Sequence, residues 1–171
     1  MSKNIFLIGF MGAGKSTIAR ALRDEYGMHL IEMDEQIEAQ EGMTISQIFA
    51  KKGEACFRAL ETRLLEGLEG EENTVVSCGG GVPMRQENVA AMRRSGTIVY
   101  LSAAPETIYE RVREFHTRPL LEGNMNVEYI ESLMAQRLPN YLSAADITIR
   151  TDGKDARAIS AEILQSVMQH D

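Results

Sequence analysis

Gly9-Phe10-Met11-Gly12-Ala13-Gly14-Lys15-Ser16 follows directly on the apolar run Asn4-Ile5-Phe6-Leu7-Ile8 and precedes apolar residues at helical spacing, Ile18, Ala19, Ala21 and Leu22. A continuous apolar run without alternation suits a strand buried on both faces of a parallel sheet. The pattern G-x-x-x-x-G-K-[ST] between such a strand and a helix start is a loop built to cradle phosphate. Glycines let the backbone curl so that successive N–H groups point inward, and the helix amino terminus adds partial positive charge. The cradle is read as Gly12, Ala13, Gly14, Lys15, Ser16 and Thr17. Lys15 reaches the β- and γ-phosphates of ATP, the Ser16 hydroxyl is offered to Mg²⁺, and Thr17 reaches the α-phosphate. A glycine turn opening a helix by accident is the bland alternative, and the strand-loop-helix placement argues against it.

Working outward, Gly27 supplies a C-cap for the helix over 16–26. A second strand is expected over 29–33. Thr44-Ile45-Ser46-Gln47 has the capping-box form and opens a helix that Gly53 breaks. A longer helix carries Phe57, Leu60, Leu64, Leu65 and Leu68 on one face and Arg58 with Glu61 on another. The apolar run 74–77 is a third strand ended by Gly79-Gly80-Gly81. A helix over 85–95, a strand over 97–102 and a helix over 105–113 with proline in its first turn follow. The stretch 114–126 has no period, contains Arg118-Pro119 and Gly123-Asn124, and reads as a mobile loop that closes over the reacting groups. A helix over 127–142, a strand over 147–150 and a helix from 155 complete the chain. Strands alternating with helices predict an α/β fold: three α/β/α layers around a mostly parallel five-stranded sheet, in one domain spanning 1–171.

Composition limits the function classes. The chain has 171 residues, 44% hydrophobic and 25% charged, with 25 acidic against 18 basic residues and a formal charge of −7. That balance disfavours nucleic acid or an anionic membrane as partner. Cys56 and Cys78 lack metal-ligand or CxxC spacing and read as buried, unpaired thiols in a reducing compartment. The amino-terminal apolar run is too short for a signal-peptide core or a membrane span, so a cytoplasmic location is expected.

Three features bear on what receives the phosphate. Asp34, in Glu32-Met33-Asp34, stands where open α/β sheets place ligand-handling residues, and its carboxylate can accept a hydroxyl proton. A helix N-cap is the competing reading for it. Arg58 and Glu61 are i,i+3 neighbours, so the carboxylate can hold the guanidinium fork, although such a pair is more often a surface ion pair. Gly79-Gly80-Gly81 brings backbone N–H groups close to a ligand with no side chain between, its alternative being a flexible turn. His29, His116 and His170 show no ligand spacing and read as packing or surface residues. Arg93-Arg94 reads as the solvated, dipole-complementing end of a helix, and the ten methionines as adaptable core filler.

Taken in order, GFMGAGKST, the acidic pair Glu32 and Asp34, FRALE (57–61), GGGV (79–82), RPLL (118–121) and RLPNY (137–141) with AADI (144–147) resemble the shikimate kinase family over nearly the whole chain. The resemblance implies a nucleoside-monophosphate-kinase-like P-loop fold with a substrate-binding segment near 34–61 and a lid near 112–126. It implies ATP and shikimate as substrates, Mg²⁺ as cofactor, shikimate 3-phosphate as product in aromatic amino acid biosynthesis, and a monomer. Asp34 is then the base and binds the substrate hydroxyls. Arg58 and Arg137 clamp the carboxylate, with Gly80 and Gly81 as backbone donors. Arg118 is the lid arginine that closes on the phosphates, Arg111 stacks on adenine, and Ser77 holds a water of the Mg²⁺ shell. One departure stands out: family members commonly carry Asp where this chain has Glu32, one methylene longer.

Two other readings stay open at this point. Another small-metabolite P-loop kinase, such as a gluconate kinase, shares the nucleotide loop but reads a different acceptor. A nucleotide-dependent switch that binds ATP without metabolising a small acceptor needs an output module, and 171 residues leave little room for one.

Overall fold

The computed structural model describes residues 4–113 and 126–170. Five strands, β1 (Asn4–Ile8), β2 (His29–Glu32), β3 (Thr74–Ser77), β4 (Gly96–Ser102) and β5 (Ile147–Arg150), form one sheet in the order β2-β3-β1-β4-β5. Every pairing is parallel, with Leu7 opposite Ser77 and Glu32 opposite Ser77 in register. The connection leaving β1 runs toward the β2 edge, whereas those leaving β3 and β4 run toward β5. Strand order therefore reverses beside β1, and the carboxyl ends of the central strands frame a crevice.

Among the described residues eight helices cover the sheet: α1 (Lys15–Tyr26), α2 (Met33–Glu41), α3 (Ile45–Lys52), α4 (Glu54–Glu66), α5 (Gln86–Ser95), α6 (Pro105–Val112), α7 (Val127–Ala144) and α8 (Ala156–His170), with a 3₁₀ turn at Val82–Met84. Because side chains alternate along a strand, Ile5 and Leu7 pack with Ile18, Leu22, Ile159 and Ile163 on one face. Phe6 and Ile8 pack with Met33, Phe57, Leu65 and Met92 on the other. All five β1 residues are buried, as an unbroken apolar run requires of a central parallel strand.

Gly27 adopts the left-handed conformation at the end of α1 and donates to the Arg23 carbonyl. The Thr44 hydroxyl accepts from the Gln47 N–H, and the Gln47 side chain accepts from the Thr44 N–H, closing the expected capping box. Three expectations change. The second strand ends at Glu32, because Met33 already begins α2; Asp34 thus sits inside the first turn of that helix and is not its N-cap. Cys56, expected to be buried, is only partly so, whereas Cys78 is buried. Arg93 and Arg94 stand exposed in the last turn of α5 as expected, and Arg93 Nη2 in addition donates to the carbonyls of Ser143 (2.9 Å) and Ala144 (3.4 Å), capping the last turn of α7 from across the fold. The loop expected over 114–126 lies, up to 125, outside the described residues, and His116 and Arg118 with it.

Candidate active site

The loop after β1 wraps tightly. Gly12 has φ +81° and Gly14 φ +96°, left-handed values that side chains resist, and a β-carbon on Gly12 would lie 2.6 Å from Val112 Cγ1. Lys15 folds back over the loop, its Nζ donating to the carbonyls of Gly9 (2.5 Å) and Phe10 (3.2 Å). Arg111 reaches the loop from α6, its Nη1 donating to the Gly12 carbonyl at 2.9 Å. Gly12, Gly14, Lys15, Ser16, Thr17 and Arg111 line one cavity of about 420 Å³. Ala13 stands apart: its methyl is buried in the core and its N–H closes the turn onto the Phe10 carbonyl at 3.0 Å.

A second cavity, about 700 Å³, meets the first at Met11, Asp34, Gly79 and Gly80. Asp34, Arg58, Gly80, Gly81 and Arg137 all line it, so residues from α2, α4, the glycine turn and α7 converge although they span a hundred positions of sequence. A side chain on any of the three glycines would displace a charged group. A β-carbon on Gly79 would lie 2.7 Å from Glu61 Oε2, one on Gly80 2.8 Å from Arg137 Nη1, and one on Gly81 2.6 Å from Arg58 Nη1. None of the three has the positive φ found at Gly12 and Gly14. Each glycine thus leaves room for one charged group, and the two guanidinium groups stand over the turn where planar, bidentate recognition of a carboxylate is possible.

Glu61 is fully buried and accepts from Arg58 Nη1 at 2.9 Å, while Glu54 accepts from Arg58 Nη2 at 3.3 Å. The pair whose alternative reading was a surface ion pair is therefore partly interior. Burial pushes the Glu61 carboxyl up to about 7, against the opposing pull of Arg58. Burial also raises the Cys78 thiol far above its ordinary range, so it stays protonated and unreactive.

Where the cavities meet the strand ends, Ser16 Oγ donates to Glu32 Oε2 at 2.9 Å and lies 3.5 Å from Ser77 Oγ. Glu32 Oε1 is buried without a hydrogen bond and faces Arg20 Nη1 at 3.7 Å. A hydroxyl and a carboxylate beside a phosphate loop are hard oxygen donors of the kind Mg²⁺ takes, the ion keeping waters and substrate phosphates for the rest of its shell. These residues fit the ion.

Two residues that matter to this site escaped the sequence reading. The Tyr141 hydroxyl donates to the Gly80 carbonyl at 2.8 Å. Asn88, fully buried, donates to the Val82 carbonyl at 2.9 Å and accepts from Thr62 Oγ1 at 2.6 Å, tying the glycine turn to the Arg58 helix. The i,i+4 spacing of Arg137 and Tyr141 was a usable signal, since it puts both on one side of α7. For Asn88 the only hint was a polar residue beside the apolar Val89.

The family model described as shikimate kinase matches residues 11–168. The shikimate kinase of Persephonella marina is 42% identical over 162 residues, 95% of this chain and 97% of its own. That of Dehalococcoides mccartyi strain BAV1 is 39% identical over 98% of this chain and 95% of its own. Among solved structures, the Acinetobacter baumannii shikimate kinase in complex with shikimate superposes with a TM-score of 0.93 at 34% identity, covering 100% of this chain and 96% of that one. A gluconokinase from Sinorhizobium meliloti 1021, at 18% identity and a TM-score of 0.59, shares the fold alone.

Proposed function

The chain belongs to the shikimate kinase family, and on that premise we propose that it transfers the γ-phosphoryl group of ATP to the 3-hydroxyl of shikimate, giving shikimate 3-phosphate and ADP. One observation carries the reading: Arg58 and Arg137 converge over the glycine turn in a cavity that opens, at Asp34, onto the phosphate loop. A substrate spanning that cavity is anionic at one end and hydroxylated at the other, which describes shikimate.

The carboxylate of shikimate docks against Arg58, Arg137 and the backbone N–H groups of Gly80 and Gly81, with Glu61 holding Arg58 in place. Asp34 orients the attacking hydroxyl and takes its proton as the new oxygen–phosphorus bond forms and the bond to the β-phosphate oxygen breaks. The loop N–H groups with Lys15 and Thr17 fix the phosphates in line, and Arg111 stacks on adenine. Ser16 and Glu32 would hold Mg²⁺, with Ser77 close by, and the ion would supply positive charge to the phosphates. Such a transfer needs positioning and positive charge more than covalent help.

The finer assignments complete the proposal. The segment near 34–61 binds substrate, and the segment near 112–126, with Arg118, closes over the phosphates. The protein works as a cytoplasmic monomer in aromatic amino acid biosynthesis, and among the described residues no helix is long and apolar enough to cross a membrane. The test is ADP release by purified protein with ATP and Mg²⁺. Release that depends on shikimate is expected; release driven instead by gluconate or a nucleoside monophosphate overturns the substrate assignment.

A further inference from the structure

All three carbonyls of Gly79-Gly80-Gly81 are held. The Gly79 carbonyl accepts from the Val82 N–H at 3.1 Å and the Gly81 carbonyl from the Met84 N–H at 3.1 Å, both within the local 3₁₀ turn. The middle one is held from elsewhere, by the Tyr141 hydroxyl at 2.8 Å across 61 positions of sequence. Glycines have the greatest backbone freedom to lose, and an unanchored peptide between Gly80 and Gly81 could rotate about its flanking bonds. Because the peptide unit is planar and trans, its C=O and N–H point in opposite directions. A bond that fixes the Gly80 carbonyl therefore also aims the Gly81 N–H.

Tyr141 is well placed to do this. Its side chain is almost fully buried, its ring stacks on Tyr100 with centroids 5.1 Å apart, and burial pushes its phenol up to about 12 against the opposing pull of Arg137, which also hydrogen-bonds the hydroxyl, so the hydroxyl keeps its proton at neutral pH. One turn earlier on the same helix, Arg137 lies over the ring of Phe10 at 5.8 Å and against Gly80. Helix α7 thus presents a cation to the cavity and, from the same face, a hydroxyl to the back of the turn that the cation faces.

We propose that Tyr141 is a positioning residue for the substrate carboxylate: by holding the Gly80 carbonyl it keeps the Gly81 N–H aimed into the cavity and sets the spacing between that donor and Arg137. The inference rests on the shikimate reading above, in which the carboxylate meets this turn.

The test is Tyr141→Phe, which deletes one buried oxygen and keeps the stacked ring. The KM for shikimate should rise about tenfold, while kcat and the KM for ATP stay within about twofold. Against the analogue in which a hydroxymethyl group replaces the carboxylate, the gap between variant and wild type should close to within about twofold, because the aimed donor then has no carboxylate to meet. An unchanged KM for shikimate overturns the inference, as does a parallel rise in both KM values with a lowered Tm, which is what a merely structural tyrosine would give. Should the variant fold poorly, the wild-type protein labelled with ¹⁵N-glycine answers directly. Adding shikimate without nucleotide should move the Gly81 amide proton downfield more than that of any glycine outside 79–81, and a still Gly81 signal counts against the proposal. Wild type that turns over no shikimate sinks the kinase reading, whereas active wild type with an indifferent Tyr141→Phe sinks this inference alone.

Discussion

The Arg58 guanidinium occupies the space in front of Gly81, its Nη1 2.6 Å from where a β-carbon on that glycine would lie. Gly81 has φ −92°, which alanine adopts without strain. Gly81→Ala should therefore displace the arginine and leave the backbone as it is. The expected outcome is a KM for shikimate raised more than tenfold, with the KM for ATP unchanged and Tm shifted by no more than a few degrees. Steady-state kinetics at saturating ATP check it, and an unaltered KM would show that Arg58 does not meet the substrate.

Removing the cation itself goes further. Arg58→Ala is expected to lower kcat/KM for shikimate by about 2–4 kcal/mol, roughly 30- to 1000-fold, since a charge-assisted partner is lost and buried Glu61 is left without its ion pair. Arg58→Lys restores the charge but not the planar fork, and should recover only part of the loss. Full recovery by lysine would argue for a point charge in place of bidentate recognition.

Glu61 ties stability to pH. Its carboxyl stands at about 7 in the fold against an ordinary 4.5, chiefly because burial disfavours the charged form. Between those values the folded protein holds a proton that the unfolded chain has released. Stability from this group is therefore complete below about 4.5, falls as pH rises toward 7 and levels above it. Glu61→Gln removes the titration. Denaturant unfolding from pH 4.5 to 7.5 should show the variant gaining on wild type as pH rises, by at most about 1.4 kcal/mol per pH unit. A difference that stays constant over this range would mean that Glu61 titrates normally.

Much of this site could be read from the chain, for reasons that are local. The loop 9–16 announces itself by glycine spacing between an apolar run and a helix start, and β3 with its trailing glycines follows from the unbroken run Thr74–Ser77. Gly27 and Thr44 end and begin helices through their own chemistry. What could not be read depends on the third dimension. An i,i+3 pair such as Arg58 and Glu61 is the same in sequence whether exposed or interior, and only the packing of α4 against the glycine turn buries the carboxylate. Arg93 was legible as a helix-end cation, but which helix it caps depends on where α7 ends in space. Glycines 79–81 were read as a close approach to ligand; the structure adds that their missing side chains make room for Glu61, Arg137 and Arg58.

Glu32 gives a prediction for the metal. With its Oε2 on the Ser16 hydroxyl and its Oε1 facing Arg20, Glu32→Gln should raise the Mg²⁺ concentration needed for half-maximal nucleotide binding several-fold and leave shikimate binding in the absence of nucleotide unchanged. Titrating Mg²⁺ against a fluorescent ATP analogue reads this without turnover. An unchanged Mg²⁺ dependence would place Glu32 outside the ion's shell.

The most direct test is the identity of the product. Protein incubated with ATP, Mg²⁺ and shikimate should yield a new phosphomonoester signal in ³¹P spectra, coupled to the proton on carbon 3 and growing one-for-one with ADP. Phosphate on another hydroxyl, or ADP accompanied only by inorganic phosphate, would contradict a site in which Arg58 and Arg137 anchor the acid while Asp34 presents the alcohol.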